Sequence, residues 1–397
     1  MGGRGCVCAS SGGSSADRSS WQPRAPAPPP RVRFKGRLTM PLTFARYLLV
    51  TFFARFALAL AALGLVLTVF DTLAHIHAVL DGGAPIGLGL IAYASLRLPT
   101  LVVLLVPLAV LIGALLTLIA LVASQELVVA RAAGVSGTQI TGILLIGAAL
   151  VAGAHFLFAN LVAVETAGRL ATWQARGYAG LPPGARSEEQ GLWLAADSAI
   201  VHIGLASADG QRLHDVVVIQ RDPAGGLEAF FKAQKARFVD GRWRLDGVER
   251  LVAARDSGPA QETPIPAFRW DPSRFGNFGQ GPEELSFGEA WSLRKDAGYS
   301  ERTPRYYRFW THRKLAQPVS CLVMALLPAH MAYQHARRRQ LVLLGLATLA
   351  AGALYFGLER LLIPLGETAV LPPAFAAWAP AVMFAALAFW SLIMAES

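Results

Sequence analysis

Stretches without a single charge alternate along the chain with stretches of ordinary soluble character. LVVLLVPLAVLIGALLTLIALVA (101–123) has Thr117 as its only polar side chain. Crossing the hydrocarbon core takes about 20 apolar residues in a helix, and a run that is apolar on every face is not a soluble amphipathic helix. The run predicts a membrane-spanning helix, kinked because Pro107 lies inside it and Pro99 near its start. The same reasoning predicts spans over about 48–72, 140–164, 313–333, 341–362 and 374–394. PLTFARYLLVTFFARF leads into the first and mixes aromatic and aliphatic residues with Arg46 and Arg55, which suits insertion from the interface.

Between the third and fourth spans the text reads as antiparallel β. GLWLAADSAIVHIGLA, LHDVVVIQ, LEAFFKAQKARFVD and GRWRLDGVERLVAA are short runs broken by turn signals. Asp240–Gly241 is a two-residue hairpin signal. It places Phe238 opposite Trp243 and Ala236 opposite Leu245 on one apolar face, with Arg237, Arg242 and Arg244 on the other. A curved sheet with one greasy side follows, readable either as a plain sandwich core or as a trough for acyl chains.

The fold class is therefore membrane α-helical, six transmembrane helices with an inserted all-β domain. Four regions are expected: a disordered N-terminal extension over 1–39, three spans over 40–165, the β domain over 166–312 and three spans over 313–397. Residues 1–39 are Gly/Ser-rich, then Pro-rich (RAPAPPPRVR), and hold no apolar run to offset chain entropy. Met40 directly precedes membrane-like sequence, so translation starting there is one expectation. A basic arm touching anionic lipid is the other.

Composition agrees with this division. The chain is 54% hydrophobic and 16% charged, against about a quarter charged in a soluble domain. Residues 1–40 carry seven basic residues and one acid, so most of the net +10 belongs to the tail. No nucleic-acid partner is implied. Arg337, Arg338 and Arg339 sit between the fourth and fifth spans and assign that connection to the cytoplasm. Counting along the spans puts both termini and the 124–138 loop inside, and in a bacterium it puts the β domain in the periplasm.

Candidate chemistry is sparse. There is no GxxxxGK[ST], no HExxH and no GxSxG, and Cys6, Cys8 and Cys321 give no metal framework. No cofactor is expected. His155, in the third span, reads first as a helix–helix hydrogen-bond partner, with a proton relay as the alternative. Cys321 reads as interior filling. An enzyme is not indicated.

The loop SQELVVARAAGVSGT (124–138) is longer than a turn requires. Glu126, Leu127, Val128, Val129, Arg131 and Ala132 form a short amphipathic helix closed by Gly134. Such a knob, anchored to two spans, suits the groove of a soluble motor; a turn lying on the membrane surface is the plainer alternative. This loop, preceded by Pro107 and Gly113–Ala114–Leu115–Leu116, resembles the lipopolysaccharide-export permeases of the LptF/LptG (YjgP/YjgQ) type. The six-span layout, Gln317–Pro318 in span four and Leu371–Pro372–Pro373 before span six agree. Glu-Leu-Val-Val and the Pro-Pro pair are closer to the LptG member. The resemblance covers about residues 41–395.

The resemblance implies a permease subunit of an ABC-type complex that extracts lipopolysaccharide and passes it to a periplasmic bridge. Its implied partners are a paralogous LptF-type permease, a cytosolic LptB-type ATPase dimer, a single-span LptC-type accessory protein and the lipid itself. It implies a jellyroll-like periplasmic domain and a coupling role for Glu126, Leu127, Val128, Arg131, Ala132 and Gly134. Lysines that meet substrate phosphates in G-type permeases have no counterpart in Phe70-Asp71-Thr72-Leu73-Ala74-His75. His75, His77, Arg97, Arg169, Arg176 and Arg360 are the expected replacements, with interfacial snorkelling the alternative for each arginine. Gly142, Gly147 and Gly153 are expected to let a second chain approach. A reading from another class is a membrane-anchored periplasmic sensor or scaffold, against which stands the lack of a cytosolic output domain.

Overall fold

Six helices are long and apolar enough to cross a membrane in the computed structural model, which describes residues 42–83, 85, 87–182, 189–196, 199–206, 211–221, 227–239, 242–251, 281–294, 303–333 and 338–396. The 1–39 extension, the Asp240–Gly241 turn and Arg337 lie outside these residues. The first span is α1 (Leu42–Ala74), followed by a short α2 (Ile76–Asp81). The second, α3 (Leu88–Ala123), is 36 residues long and begins 13 residues before the expected start. Tyr93, Ser95 and Arg97 interrupt the apolar run, but their side chains find partners and the helix continues through Pro99 and Pro107 without a break.

A seven-residue helix, α4 (Glu126–Ala132), leads to the third span. That span runs as α5 (Gly137–Phe158), a π-helical turn over Ala159–Ala163, and α6 (Val164–Ala175). It reaches eleven residues past the expected end, because VETAGRLATWQA changes from all-apolar to amphipathic without a helix-breaking residue. Asn160 occupies the π turn. Its Nδ2 donates to the Phe156 carbonyl at 2.7 Å, and its Oδ1 accepts from the Phe287 amide at 2.8 Å. Phe287 opens α7 (Phe287–Leu293), whose Ser286 N-cap forms a capping box with Glu289. The remaining spans are α8 (Pro304–Leu326, extended by a 3-10 turn over Leu327–Tyr333), α9 (Arg338–Glu367) and α10 (Pro373–Glu396).

The second and fourth spans are the most buried, at 61% and 67% of their apolar windows against 17–33% for the others, so they form the centre. α1 lies against α3, and α8 touches α3, α5 and α10. Gly113 allows α1 and α3 to approach backbone to backbone: a Cβ there would sit 2.9 Å from the Phe56 Cα. Gly147 packs against Phe52 and Leu49 of α1, so this small residue serves an intrachain contact, while Gly142 and Gly153 face open space. A second cluster of Val79, Tyr93, Leu170, Trp173 and Tyr178 ties α2, α3 and α6 together.

The inserted region holds a five-stranded antiparallel meander: β1 (Glu189–Ala196), β2 (Ala199–Ala206), β3 (Arg212–Arg221), β4 (Leu227–Val239) and β5 (Arg242–Leu251). The first expected run is thus a hairpin of two strands. The β4–β5 register is as the sequence predicts, with Phe238 opposite Trp243 and Ala236 opposite Leu245. One face carries the apolar cluster of Val201, Ile203, Leu213, Val216, Val218, Ala233 and Ala236. The spacing of Leu213 to Val216 and of Ala233 to Ala236 is three, not two. Positive φ at Asp215 (52°) and Gly247 (68°) creases the strands at one level and keeps the apolar side chains on one face.

Candidate functional site

The α4 loop is built as a rigid knob. Leu127 and Ala130 are buried with Val135 in the main helical core. At the C-terminal end the Gly134 amide donates to the Arg131 carbonyl at 2.9 Å and the Val135 amide to the Ala130 carbonyl at 3.0 Å. This is a Schellman closure, and it needs the left-handed φ of 88° that Gly134 supplies. Ser136 then caps α5 with Gln139 in a capping box.

Three side chains fix the knob to its surroundings. Arg131 Nη2 donates to the Ala332 carbonyl at the end of the fourth span. The Tyr47 hydroxyl of α1 reaches Glu126 Oε1 in a long hydrogen bond of 3.4 Å. Gly137 lies against the Tyr333 ring, where a Cβ would be 2.7 Å from a ring carbon. The outward face is apolar: Val128 is 53% and Val129 69% exposed, with Ala132 beside them. Of the residues expected to couple, Leu127 and Arg131 therefore anchor the knob inward. Val128 and Ala132 point outward, and Glu126 is half-buried at the rim.

At the opposite end of the spans, Asp71 is the centre of a polar cluster absent from the sequence reading. Its Oδ2 accepts from Tyr93 Oη at 2.8 Å and from Arg97 Nε at 3.3 Å. His75 Nδ1 lies 2.8 Å from the Asp71 carbonyl oxygen, and the ring stacks on Tyr93. Glu283 Oε2 stands 3.9 Å from Arg97 Nη1. His75 and Arg97 are thus brought together, and a carboxylate balances Arg97. Arg169 pairs with Glu165 at 2.9 Å one turn back on α6. His77 on α2, Arg176 at the end of α6 and Arg360 on α9 are exposed.

Two further constellations lie within the spans, the first of them missed by sequence reasoning. Arg313 on α8 donates to Glu359 on α9 at 2.8 Å, with side chains only 11% and 20% exposed. The guanidinium also stands over the Trp310 ring, and Trp310 Nε1 donates to Glu367 at 3.0 Å. The available signal was charge, Arg313–Lys314 and Glu359–Arg360, within the expected fourth and fifth spans. The other constellation explains His155. Pro107 has no N–H, so it cannot bond the carbonyl of Val103 four residues back. His155 Nε2 lies 3.1 Å from that oxygen and donates to it. The other ring nitrogen, Nδ1, faces the Cys321 thiol at 3.9 Å. The histidine is a helix–helix hydrogen-bond partner, as its isolation in an apolar run suggested.

Six helices of membrane-spanning length in two sets of three, with a β-sheet inserted between the sets, define a multi-pass membrane protein. The lipopolysaccharide export system permease LptF/LptG family matches residues 46–394. The chain belongs to that family: it is a permease subunit of lipopolysaccharide export, a transporter component and not an enzyme. No curated protein matches the chain.

Proposed function

We propose that this permease is the LptG-type half of an ATP-driven exporter and that α4 is its coupling element. It sits in the bacterial inner membrane with α4 and both termini in the cytoplasm and the β domain in the periplasm. An LptF-type paralogue completes the transmembrane cavity, an LptB-type ATPase dimer seats the two knobs, and an LptC-type single-span protein packs at the side. Lipopolysaccharide enters from the outer leaflet and leaves along the apolar face of the β domain toward a periplasmic bridge.

The supporting observation is the build of α4. Seven residues are clamped to α1, α5 and the end of α8, yet Val128, Val129 and Ala132 face outward. A surface turn needs no such clamps, whereas a lever needs them to pass force into the bundle. At the other end, Arg97 and His75 around Asp71, with His77, Arg169, Arg176 and Arg360, are the proposed phosphate contacts. For Arg97 and Arg169 this requires a phosphate to exchange with Asp71 or Glu165.

Co-purification in mild detergent tests the assignment. The wild-type chain should bring down an ATPase dimer. Glu126→Ala should either weaken that assembly or leave ATP hydrolysis uncoupled from lipid extraction. Full coupling in Glu126→Ala removes the lever role, and absence of any ATPase from the wild-type preparation favours a sensor or scaffold.

A further inference from the structure

The face of the β-sheet opposite its apolar cluster is strongly basic. Arg212, Arg237 and Arg244 are directly opposite one another on β3, β4 and β5. Paired residues in antiparallel strands point to the same side, so the three form one row across the sheet. Strands about 4.8 Å apart make that row about 10 Å long between its outer Cα atoms. Lys232 and Lys235 extend the patch along β4, and all five residues are exposed. Asp246 takes Arg237 at 2.6 Å and Asp215 takes Lys232 at 3.7 Å. In the β4–β5 register Glu249 also stands opposite Lys232.

Such a row costs stability. Like charges directly opposite on neighbouring strands repel, and a solvated face is satisfied by mixed or neutral residues. The row also ends at a particular place. Among the described residues β5 is the edge strand. Along it Trp243 and Leu245 lie on the apolar side while Arg244 and Asp246 lie on the charged side. At this edge an apolar surface and an arginine surface are separated by the thickness of one strand. The molecule complementary to both is an anionic amphiphile. Guanidinium groups in a row suit phosphate oxygens, which they bind in bidentate fashion.

We infer that the Arg212–Arg237–Arg244 row is a binding site for the phosphate-bearing head of the transported lipid, whose acyl chains lie against the apolar face around the β5 edge. The inference rests on the export reading and adds to it a second, external surface of the β domain. A lipid held on both faces is fixed in orientation, head outward and chains inward, as it leaves the bundle.

The test uses the full chain in nanodiscs of neutral phospholipid. A photo-reactive residue is placed on the charged face, Val239→benzoylphenylalanine, or on the apolar face, Leu245→benzoylphenylalanine, and labelled lipopolysaccharide is added. Both positions should form adducts. Arg212→Gln/Arg237→Gln/Arg244→Gln should lower the Val239 adduct by at least about tenfold, since charged hydrogen bonds are lost, and leave the Leu245 adduct unchanged. Phosphatase-treated lipopolysaccharide should behave like the triple variant. If the triple variant loses both adducts, Arg244→Gln alone decides, and it must still lower the Val239 adduct severalfold.

A Leu245 adduct without a Val239 adduct overturns the inference and leaves the export reading standing. So does a Val239 adduct insensitive to the arginines or to phosphate removal. Equal competition by phosphatidylglycerol vesicles overturns it in favour of a general anionic surface. Absence of both adducts in the wild-type background rejects passage of the lipid along this domain, and the inference with it.

Discussion

Replacing His155 should destabilise the bundle only while Pro107 is present. The Val103 carbonyl is left open by the proline and closed by His155 Nε2 at 3.1 Å. His155 is 3% exposed, so water cannot take over. An unsatisfied buried polar group costs about 1–3 kcal/mol, and measured interhelical hydrogen bonds in membranes average about 0.6 kcal/mol with a maximum near 1.7. His155→Leu, which nearly keeps the volume, should therefore lose about 1 kcal/mol. In a Pro107→Ala background residue 107 has an amide to donate to Val103, and the same replacement should cost close to nothing. The interaction read from this double-mutant cycle should be about 1 kcal/mol. Reversible unfolding in mixed micelles gives the four free energies, and His155→Gln, which keeps a donor, should recover part of the loss. Equal costs of His155→Leu in both backgrounds would refute the carbonyl-repair argument.

Other perturbations follow from the same geometry. Arg313→Gln leaves Glu359 buried without its cation and should cost about 3–5 kcal/mol, whereas Arg313→Gln/Glu359→Gln should regain a large share of that; unfolding midpoints compare them, and an additive double variant contradicts the pairing. Gly113→Leu forces α3 away from the Phe56 backbone and should cost at least about 1–3 kcal/mol, visible as lost thermal stability and lower yield of folded protein. Gly134→Ala must hold an L side chain at a φ of 88°, at about 1–2 kcal/mol. Because the strain falls on the knob, it should reduce ATPase co-purification more than it shifts the unfolding midpoint.

Much of the fold was legible because membrane insertion imposes a length and polarity rule that single residues do not override. The six apolar runs became six helices, and the β4–β5 register followed from the alternation around Asp240–Gly241. What escaped were polar residues whose partners are distant in sequence. The apolar run of the second span begins only at 101, yet α3 starts at Leu88, and its Tyr93 and Arg97 are satisfied by Asp71 of α1, more than twenty residues away. Arg313 and Glu359 are 46 positions apart, and although each is a charge within an apolar span, neither segment shows which residue is its partner. The α4 knob was the reverse case. Its cap chemistry is entirely local, so Gly134 could be placed from sequence alone, while the clamps through Arg131 and Tyr47 required the assembled bundle.

Those clamps bear on how motion at α4 would spread. Arg131 reaches the end of the fourth span, Val135 and Leu127 enter the main core, and Ser136 caps α5 without a break in the hydrogen-bonded path. α4 thus continues from α3 and reaches the end of the fourth span through Arg131, and these are the two most buried spans. Higher up, His155 of α5 links the same two spans, bonding Val103 on α3 and facing Cys321 on α8. Pro107 leaves α3 one hydrogen bond short at that level, so bending is easiest there. A displacement of α4 has little freedom to dissipate in a loop and a softened level in α3 at which to turn into a tilt. Under the proposed coupling role, His155 would be the tie between α3, α5 and α8 during that tilt.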